Sequence, residues 1–291
     1  MTLSDRLIRT TMECAFRIAE EMDARAVMLY ADVIPDEAVL DGVKCARDLI
    51  LFAGGNKAAR MSPRDRTILK IPDMKLTRMG QIKIAVTKGI AAGLFGRDDK
   101  VVCLTGVPEF GYFDCIIVID VGKEFEIMTS EHFPDLFEGL NPEVFGAVLT
   151  MALELGAKGR EGRPVGAIFI LGDYNHVLPL TRQMIINPFA GYNEEERNIL
   201  NPALTETIRE FSALDGAFII RGDGVCMAAG SYLSAVMEGK DLPSGLGSRH
   251  LAAAAVTSMT KAVAVVVSES TGTIRVFKRS KLFVSIERPV D

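Results

Sequence analysis

The chain has 291 residues, 48% of them hydrophobic and 24% charged, with a formal net charge of −5. That length accommodates one large domain or two of ordinary size, each with its own core, and the composition is that of a soluble globular protein. Acidic charge with no basic tail excludes the positive footprint of non-specific nucleic-acid binding, and no apolar run approaches the roughly 20 residues of a membrane span.

Leu3, Leu7, Ile8, Met12, Ala15, Phe16 and Ala19 share one face of a helix predicted over residues 3–22. Charges run throughout this segment, so it is an amphipathic helix and not a signal peptide. The five cysteines, Cys14, Cys45, Cys103, Cys115 and Cys226, are odd in number and lack C-x-x-C spacing. They are expected to be reduced, mostly buried thiols of a cytoplasmic protein, with no disulfide framework or zinc site.

A short apolar run, AVMLYAD (26–32), follows, then helical spacing over 36–46 and strands at 48–55 and 67–73. A long helix is predicted from Thr77 to Phe95, then strands over 100–106 and 114–122. Apolar strands alternating with helices imply an open, mainly parallel sheet with helices on both faces. No Walker-type phosphate loop is present; AGGNKAAR (53–60) is instead a strand-to-helix turn. Prolines and scattered acids over 129–142 mark a boundary near residue 137, giving domains 1–136 and 137–291.

The second half opens with a helix over 142–159, a strand over 165–173, a strand over 181–189 ended by Asn187-Pro188, and a helix over 201–213. AFIIRGDGVCMAAG forms a hairpin turning at Asp223-Gly224, and KAVAVVVSESTGTIRVF a second turning at Thr271-Gly272. A helix from Arg249 to Met259 lies between them. Together these elements give an α/β protein whose second domain is a mixed sheet flanked by helices.

Three segments carry chemistry. In Gly247-Ser248-Arg249-His250, the serine suits an N-cap, and the next two residues then sit in the first helical turn. Free N–H groups and the positive end of the helix dipole make that turn an anion site. Arg249 adds a planar fork matched to phosphate oxygens, and His250 a donor. Two cations there are otherwise unfavourable, which an anionic ligand would resolve, although an exposed arginine and a packed histidine fit the same spacing. Asp215-Gly216 is a common turn pair, and equally a carboxylate at the mouth of a strand with a glycine that admits close approach of a ligand. Ser268-Glu269 either opens a hairpin turn or sets a hydroxyl and a second carboxylate at the same sheet edge.

In order and spacing, LDGAFIIRGD, AAGSYL, LPSGLGSRHLAAAAVT and VVVSESTGTI resemble the diadenylate cyclase domain, which carries an Asp-Gly-Ala motif and an Arg-His-Arg motif. GAIFILGD and INPFAGY fit the same domain, so the likeness covers about residues 140–291. The first half, notably AFRIAEEMDARAVML, DLILFAGG and LTGVPEFGYFDCIIVIDVG, is similar to the C-terminal domain of pyruvate kinase, a pairing seen in archaeal-type DacZ cyclases.

The resemblance implies condensation of two ATP into cyclic di-AMP, with Mg²⁺ or Mn²⁺ as cofactor. Asp215 would bind the metal and activate the ribose 3′-hydroxyl, with Gly216 and Ala217 shaping that wall. Gly247, Ser248, Arg249, His250 and Ser268 would hold the triphosphate, Glu269 would be a second metal ligand, and Tyr232 and Leu233 would meet the adenine. Catalysis would rest on Asp215, Arg249 and His250. The second arginine of Arg-His-Arg is Leu251 here, which removes one phosphate contact. Each ATP must offer its hydroxyl to the other, so two copies of the domain are expected to meet face to face. Residues 1–136 would then serve regulation or assembly, with no membrane or nucleic-acid partner. The alternative is a sensor that binds ATP or cyclic di-AMP without turnover.

Overall fold

A computed structural model describes residues 2–61, 66–121, 123, 138–157, 159, 164–235 and 247–287. The chain divides into two compact units, Met1–Phe125 and Glu126–Asp291. The boundary expected near residue 137 falls in 124–137, outside the described residues.

The first unit begins with α1 (Leu3–Glu21), started by a capping box: Thr2 Oγ1 accepts from the Asp5 amide at 3.1 Å, and Asp5 Oδ2 accepts from the Thr2 amide at 2.7 Å. Ile8, Met12, Ala15 and Ala19 form its buried stripe. β1 (Ala26–Tyr30), β2 (Asp48–Gly54), β3 (Thr67–Ile71), β4 (Lys100–Thr105) and β5 (Cys115–Asp120) make one sheet in the order β3-β2-β1-β4-β5. Only the β4–β5 pairing is antiparallel. β1 is central and buried at all five positions, which is why it reads as an unbroken apolar run.

Two elements differ from expectation. The helical spacing over 36–46 yields only a short 3₁₀ turn, Glu37–Leu40, because Gly42 takes a left-handed φ of 74° just beyond it. The long helix, α3, is Arg78–Ala91, capped by Thr77 Oγ1 on the Gly80 amide at 3.0 Å. β2 runs directly into the four-residue α2 (Gly55–Ala58), the strand-to-helix turn that AGGNKAAR implied.

In the second unit, α4 (Pro142–Ala157) precedes β6 (Ala167–Leu171), α5 (Tyr174–Val177), β7 (Thr181–Gln183), α6 (Thr205–Phe211), β8 (Ala217–Ile220), β9 (Cys226–Leu233), α7 (Ser248–Met259), β10 (Val263–Val267), β11 (Ile274–Lys278) and β12 (Lys281–Ile286). The sheet order is β12-β11-β10-β6-β8-β9-β7. β6 and β8 are parallel and the remaining pairs antiparallel, so this sheet is mixed as expected.

α7 packs its small side chains, Ala253, Ala254 and Val256, against Ile168, Ile170, Ala264, Val266 and Phe277. Burying each larger aliphatic or aromatic side chain stabilises by about 1.5–3 kcal/mol. The alanines let the helix lie close to the sheet, which holds its first turn in place.

β7 is shorter than the strand expected over 181–189. Asn187 turns the chain instead: its Nδ2 donates to the Met227 carbonyl at 2.8 Å, and its Oδ1 accepts from the Phe189 amide at 3.1 Å. β12 was not foreseen. Phe283, Val284 and Ile286 are buried, and Val284 and Ile286 pair with Val276 and Ile274 of β11. Among the described residues, no helix is long and apolar enough to cross a membrane.

Candidate active site

The register of three strands defines one sheet edge. Ile168 of β6 lies beside Ala217 of β8, and Ala167 beside Val267 of the antiparallel β10. The starts of β6 and β8 and the end of β10 therefore open on the same side. Just outside them stand Gly166, Asp215-Gly216 and Ser268-Glu269, and the N-terminus of α7 meets this edge.

Arg249 joins these segments. Its Nη1 donates to Glu269 Oε2 at 2.6 Å and its Nη2 to Asp215 Oδ1 at 3.2 Å. One guanidinium thus holds two carboxylates 20 and 34 positions away in the chain. The Asp215 side chain is 81% exposed, so the pairing contributes at most about 1 kcal/mol to stability. Its importance is positional. Gly166 leaves room for it: a Cβ there would lie 2.7 Å from Arg249 Nη1 and 2.9 Å from Glu269 Cβ.

Gly216 sets the backbone beside Asp215. Its φ is 109°, and a Cβ would lie 2.6 Å from the Gly230 carbonyl carbon and 2.7 Å from the Ser231 amide nitrogen. The start of β8 can press against β9 only because no side chain intervenes. Ala217 is fully buried behind it.

At the helix tip, Gly247 occupies the N-cap, with extended φ and ψ, and Ser248 is the first helical residue. The cap expected at Ser248 is thus displaced by one position, and no side chain caps the turn. The His250 ring is 5% exposed and meets Phe277 edge-on at 6.1 Å. Arg275 Nη1 lies 3.1 Å from His250 Nε2. A guanidinium only donates, so Nε2 accepts and Nδ1 carries the proton. Burial, with Arg275 and then Arg249 nearby, pushes the His250 pKa down to about 4, leaving the ring neutral at pH 7.

This has a measurable consequence. The unfolded imidazole takes up a proton near pH 6.5, while the native ring refuses it until about pH 4. Native stability from this group is therefore complete above about pH 6.5 and falls as pH drops towards 4. In chemical denaturation, the stability advantage of wild type over His250→Leu should shrink by on the order of 2–3 kcal/mol between pH 7 and pH 4. An advantage constant with pH would contradict the buried neutral ring.

Ser268 lies inside its turn. Its hydroxyl is 3.2 Å from Ser270 Oγ and accepts from the Thr271 amide at 3.3 Å. Tyr232 is 51% exposed, with the Arg182 guanidinium 5.7 Å from its ring centroid, whereas Leu233 is buried. Leu251 is half exposed. Beside Gly230, the exposed Met184, Ile185 and Ile186 form an apolar rim, Ile186 being 93% exposed.

Among the described residues, no group of three His, Cys, Asp or Glu side chains could hold a metal ion. Mg²⁺ and Mn²⁺ do not need one, since magnesium commonly takes one or two carboxylates and completes its shell with substrate phosphates and water. Asp215 and Glu269, converging on one guanidinium, fit that demand. Two residues at this edge escaped sequence reasoning. Gly166 carried only the weak signal of a glycine before a strand, and Arg275 that of one cation in the second arm of a hairpin.

Residues 154–282 match the family model described as "DisA bacterial checkpoint controller nucleotide-binding", and residues 9–129 match "Probable sensor domain DacZ_P". A diadenylate cyclase of Haloferax volcanii is 42% identical over 223 residues, covering 76% of this chain and 80% of that one. A diadenylate cyclase of Methanocaldococcus jannaschii is 35% identical over 202 residues, covering 69% of this chain and 64% of that protein, just under two thirds of its length. The crystal structure of DacA from Staphylococcus aureus is 24% identical, with a TM-score of 0.32, covering 51% of this chain and 87% of that one.

Proposed function

Because the chain belongs to the diadenylate cyclase family, we propose that residues 137–291 join two ATP molecules into cyclic di-AMP and release two pyrophosphates. The observation that carries this reading is Arg249, held between Asp215 and Glu269 at the tip of α7. It sets two acids suited to a divalent cation beside a helix N-terminus suited to phosphate.

Each ribose 3′-hydroxyl attacks the α-phosphate of the other nucleotide; a P–O bond forms, the bond to pyrophosphate breaks, and the hydroxyl proton leaves. Asp215 orients the hydroxyl and takes that proton. Arg249 offsets negative charge gathering at the α-phosphate and the departing pyrophosphate. Neutral His250 donates through Nδ1, and the unpaired amides of the first helical turn add further donors. Asp215 and Glu269 would hold Mg²⁺ or Mn²⁺, which when bound supplies Lewis-acid stabilisation of the phosphoryl oxygens. Tyr232, with an exposed ring, would face the adenine.

One domain cannot close a ring between two nucleotides, so two copies must present their sites to each other. The apolar rim of Met184, Ile185 and Ile186 near Gly230 supports this, since exposed apolar patches mark contact surfaces. Cyclic di-AMP formed per mole of protein should fall on dilution through the concentration at which sedimentation shows dissociation to monomers. Activity that stays flat there would refute the paired site. The same series on residues 137–291 alone tests the first unit: ATP binding should persist while oligomer size changes, as a regulatory or assembly role requires.

A non-catalytic sensor is the second reading, favoured by Leu251, uncharged and half exposed at the helix tip. Incubation with ATP and Mg²⁺ or Mn²⁺, assayed for cyclic di-AMP and pyrophosphate, separates the two.

A further inference from the structure

Arg275 lies one strand away from the segments already assigned. On the sheet, Ile168, Val266 and Arg275 pair across β6, β10 and β11, and Val266 belongs to the core that α7 covers. Arg275 therefore points to the same side as α7, one residue in from the edge where Asp215 and Glu269 stand. Its guanidinium is half buried, and burial lowers its pKa from the ordinary arginine value. Its hydrogen-bond partner is the neutral His250 ring. Among the described residues no carboxylate pairs with it.

Two unmet demands thus meet at the first turn of α7. A half-buried cation has a neutral partner, although removing a charge from water is unfavourable unless it is paired. His250 Nδ1 is buried with no hydrogen-bond partner among the described residues, although the bond from Arg275 at Nε2 forces a proton onto it. An anion with several acceptor oxygens at the helix tip answers the guanidinium directly, and it answers Nδ1 once its arrival opens the packing that now closes over that atom. The uncapped amides of the helix tip add to the same preference.

We propose that Arg275 is a further polyphosphate-binding residue of this site, which also fixes His250 as the Nδ1–H donor. This extends the reading of α7 as the triphosphate-binding helix and rests on it. The second guanidinium comes from a strand instead of from the helix. It acts on substrate affinity, and through His250 it acts as a positioning residue.

The test uses the full-length protein and two probes, ATP and inorganic tripolyphosphate, titrated calorimetrically without divalent metal. Arg275→Gln keeps an amide that can donate to His250 but removes the charge, and Arg275→Lys keeps the charge but loses the fork. Charge-assisted hydrogen bonds are worth about 1.5–3 kcal/mol, so Arg275→Gln should weaken both probes by about tenfold to a hundredfold. Arg275→Lys should recover part of that loss. In steady-state turnover, KM for ATP should rise more than kcat falls. The ¹⁵N shifts of His250 should report a protonated Nδ1 in wild type and a tautomer mixture in Arg275→Ala.

Wild-type dissociation constants in a folded Arg275→Gln protein would overturn the proposal, as would an Nε2-protonated His250 in wild type. Failure of the cyclase reading looks different. Wild type would bind tripolyphosphate in an Arg275-dependent way yet form no cyclic dinucleotide.

Discussion

Asp215→Asn should reduce cyclic di-AMP formation by about 10²- to 10⁴-fold in kcat, the range for removal of a positioned general base. The substitution is nearly isosteric, and the amide oxygen can still accept from Arg249 Nη2, the 3.2 Å contact that Asp215 now makes. What it loses is the negative charge and the capacity to take the hydroxyl proton. Since Asp215 is exposed and its ion pair is worth little in stability, the variant should unfold at the wild-type denaturant midpoint. Binding of tripolyphosphate without metal should also be retained, because the contacts assigned to phosphate come from α7 and β11. A drop of less than about threefold in kcat would remove Asp215 from the chemistry, since no general-base role contributes so little. The assay is pyrophosphate release and cyclic di-AMP yield at saturating ATP with Mg²⁺ or Mn²⁺.

Gly216→Ala has the largest expected effect on the fold. At φ 109° any residue with a Cβ is strained, which costs about 1–3 kcal/mol. The new methyl would also sit within 2.7 Å of backbone atoms of Gly230 and Ser231, and backbone cannot rotate away as a side chain can. Overpacking of this kind adds about 1–3 kcal/mol. The sum, about 2–6 kcal/mol, is a large fraction of an ordinary domain's stability and at its upper end reaches the lower limit of the usual range of about 5–15 kcal/mol. The chain has no tryptophan, so circular dichroism in urea is the natural probe. Its two compact units call for separate fits of two transitions. The transition of the second unit should move to markedly lower urea while that of the first stays. Any folded fraction should turn over slowly, because β8 must shift away from β9 and carry Asp215 with it. Gly247→Ala is the control: its φ is −73° and a Cβ there meets nothing within 4 Å. A wild-type midpoint for Gly216→Ala would mean that β8 and β9 do not approach each other as described.

Much of this architecture was legible in the chain. Strands buried on both faces, such as Ala26–Tyr30, read as continuous apolar runs, and the hairpins announced their turns through Asp223-Gly224 and Thr271-Gly272. Asp215, Arg249 and Glu269 could be named as candidates because the motifs around them resemble those of diadenylate cyclases; by position alone a turn pair, a surface arginine and a hairpin turn fitted as well. That they share one guanidinium could not be read, since strand order is a non-local property of pairing. The segment over 36–46 misled because helical spacing continued across a glycine whose backbone conformation ended it. Residues 184–189 misled because the Asn187 side chain competes with the strand ladder, which composition alone does not reveal. Arg275 was hidden by its neighbours: beside Lys278, Arg279 and Lys281 it looks like one more surface cation. Only the register that sets it beside Val266, under α7, separates it from them. The departure at Leu251 was plain in the sequence, whereas a cation 24 residues later in the chain came into view only with β11 in place.

The two borders of the seven-stranded sheet constrain how copies of this protein can meet. One border is β7, three residues long, and the other is β12, whose ladder with β11 slips register between Val276 and Phe277 and whose first residue is an exposed lysine. Short, irregular or charged margins are poor templates for a foreign strand. Continuous sheet-to-sheet splicing between molecules is therefore disfavoured, and the paired assembly proposed above would form through loops, helix tips and apolar protrusions.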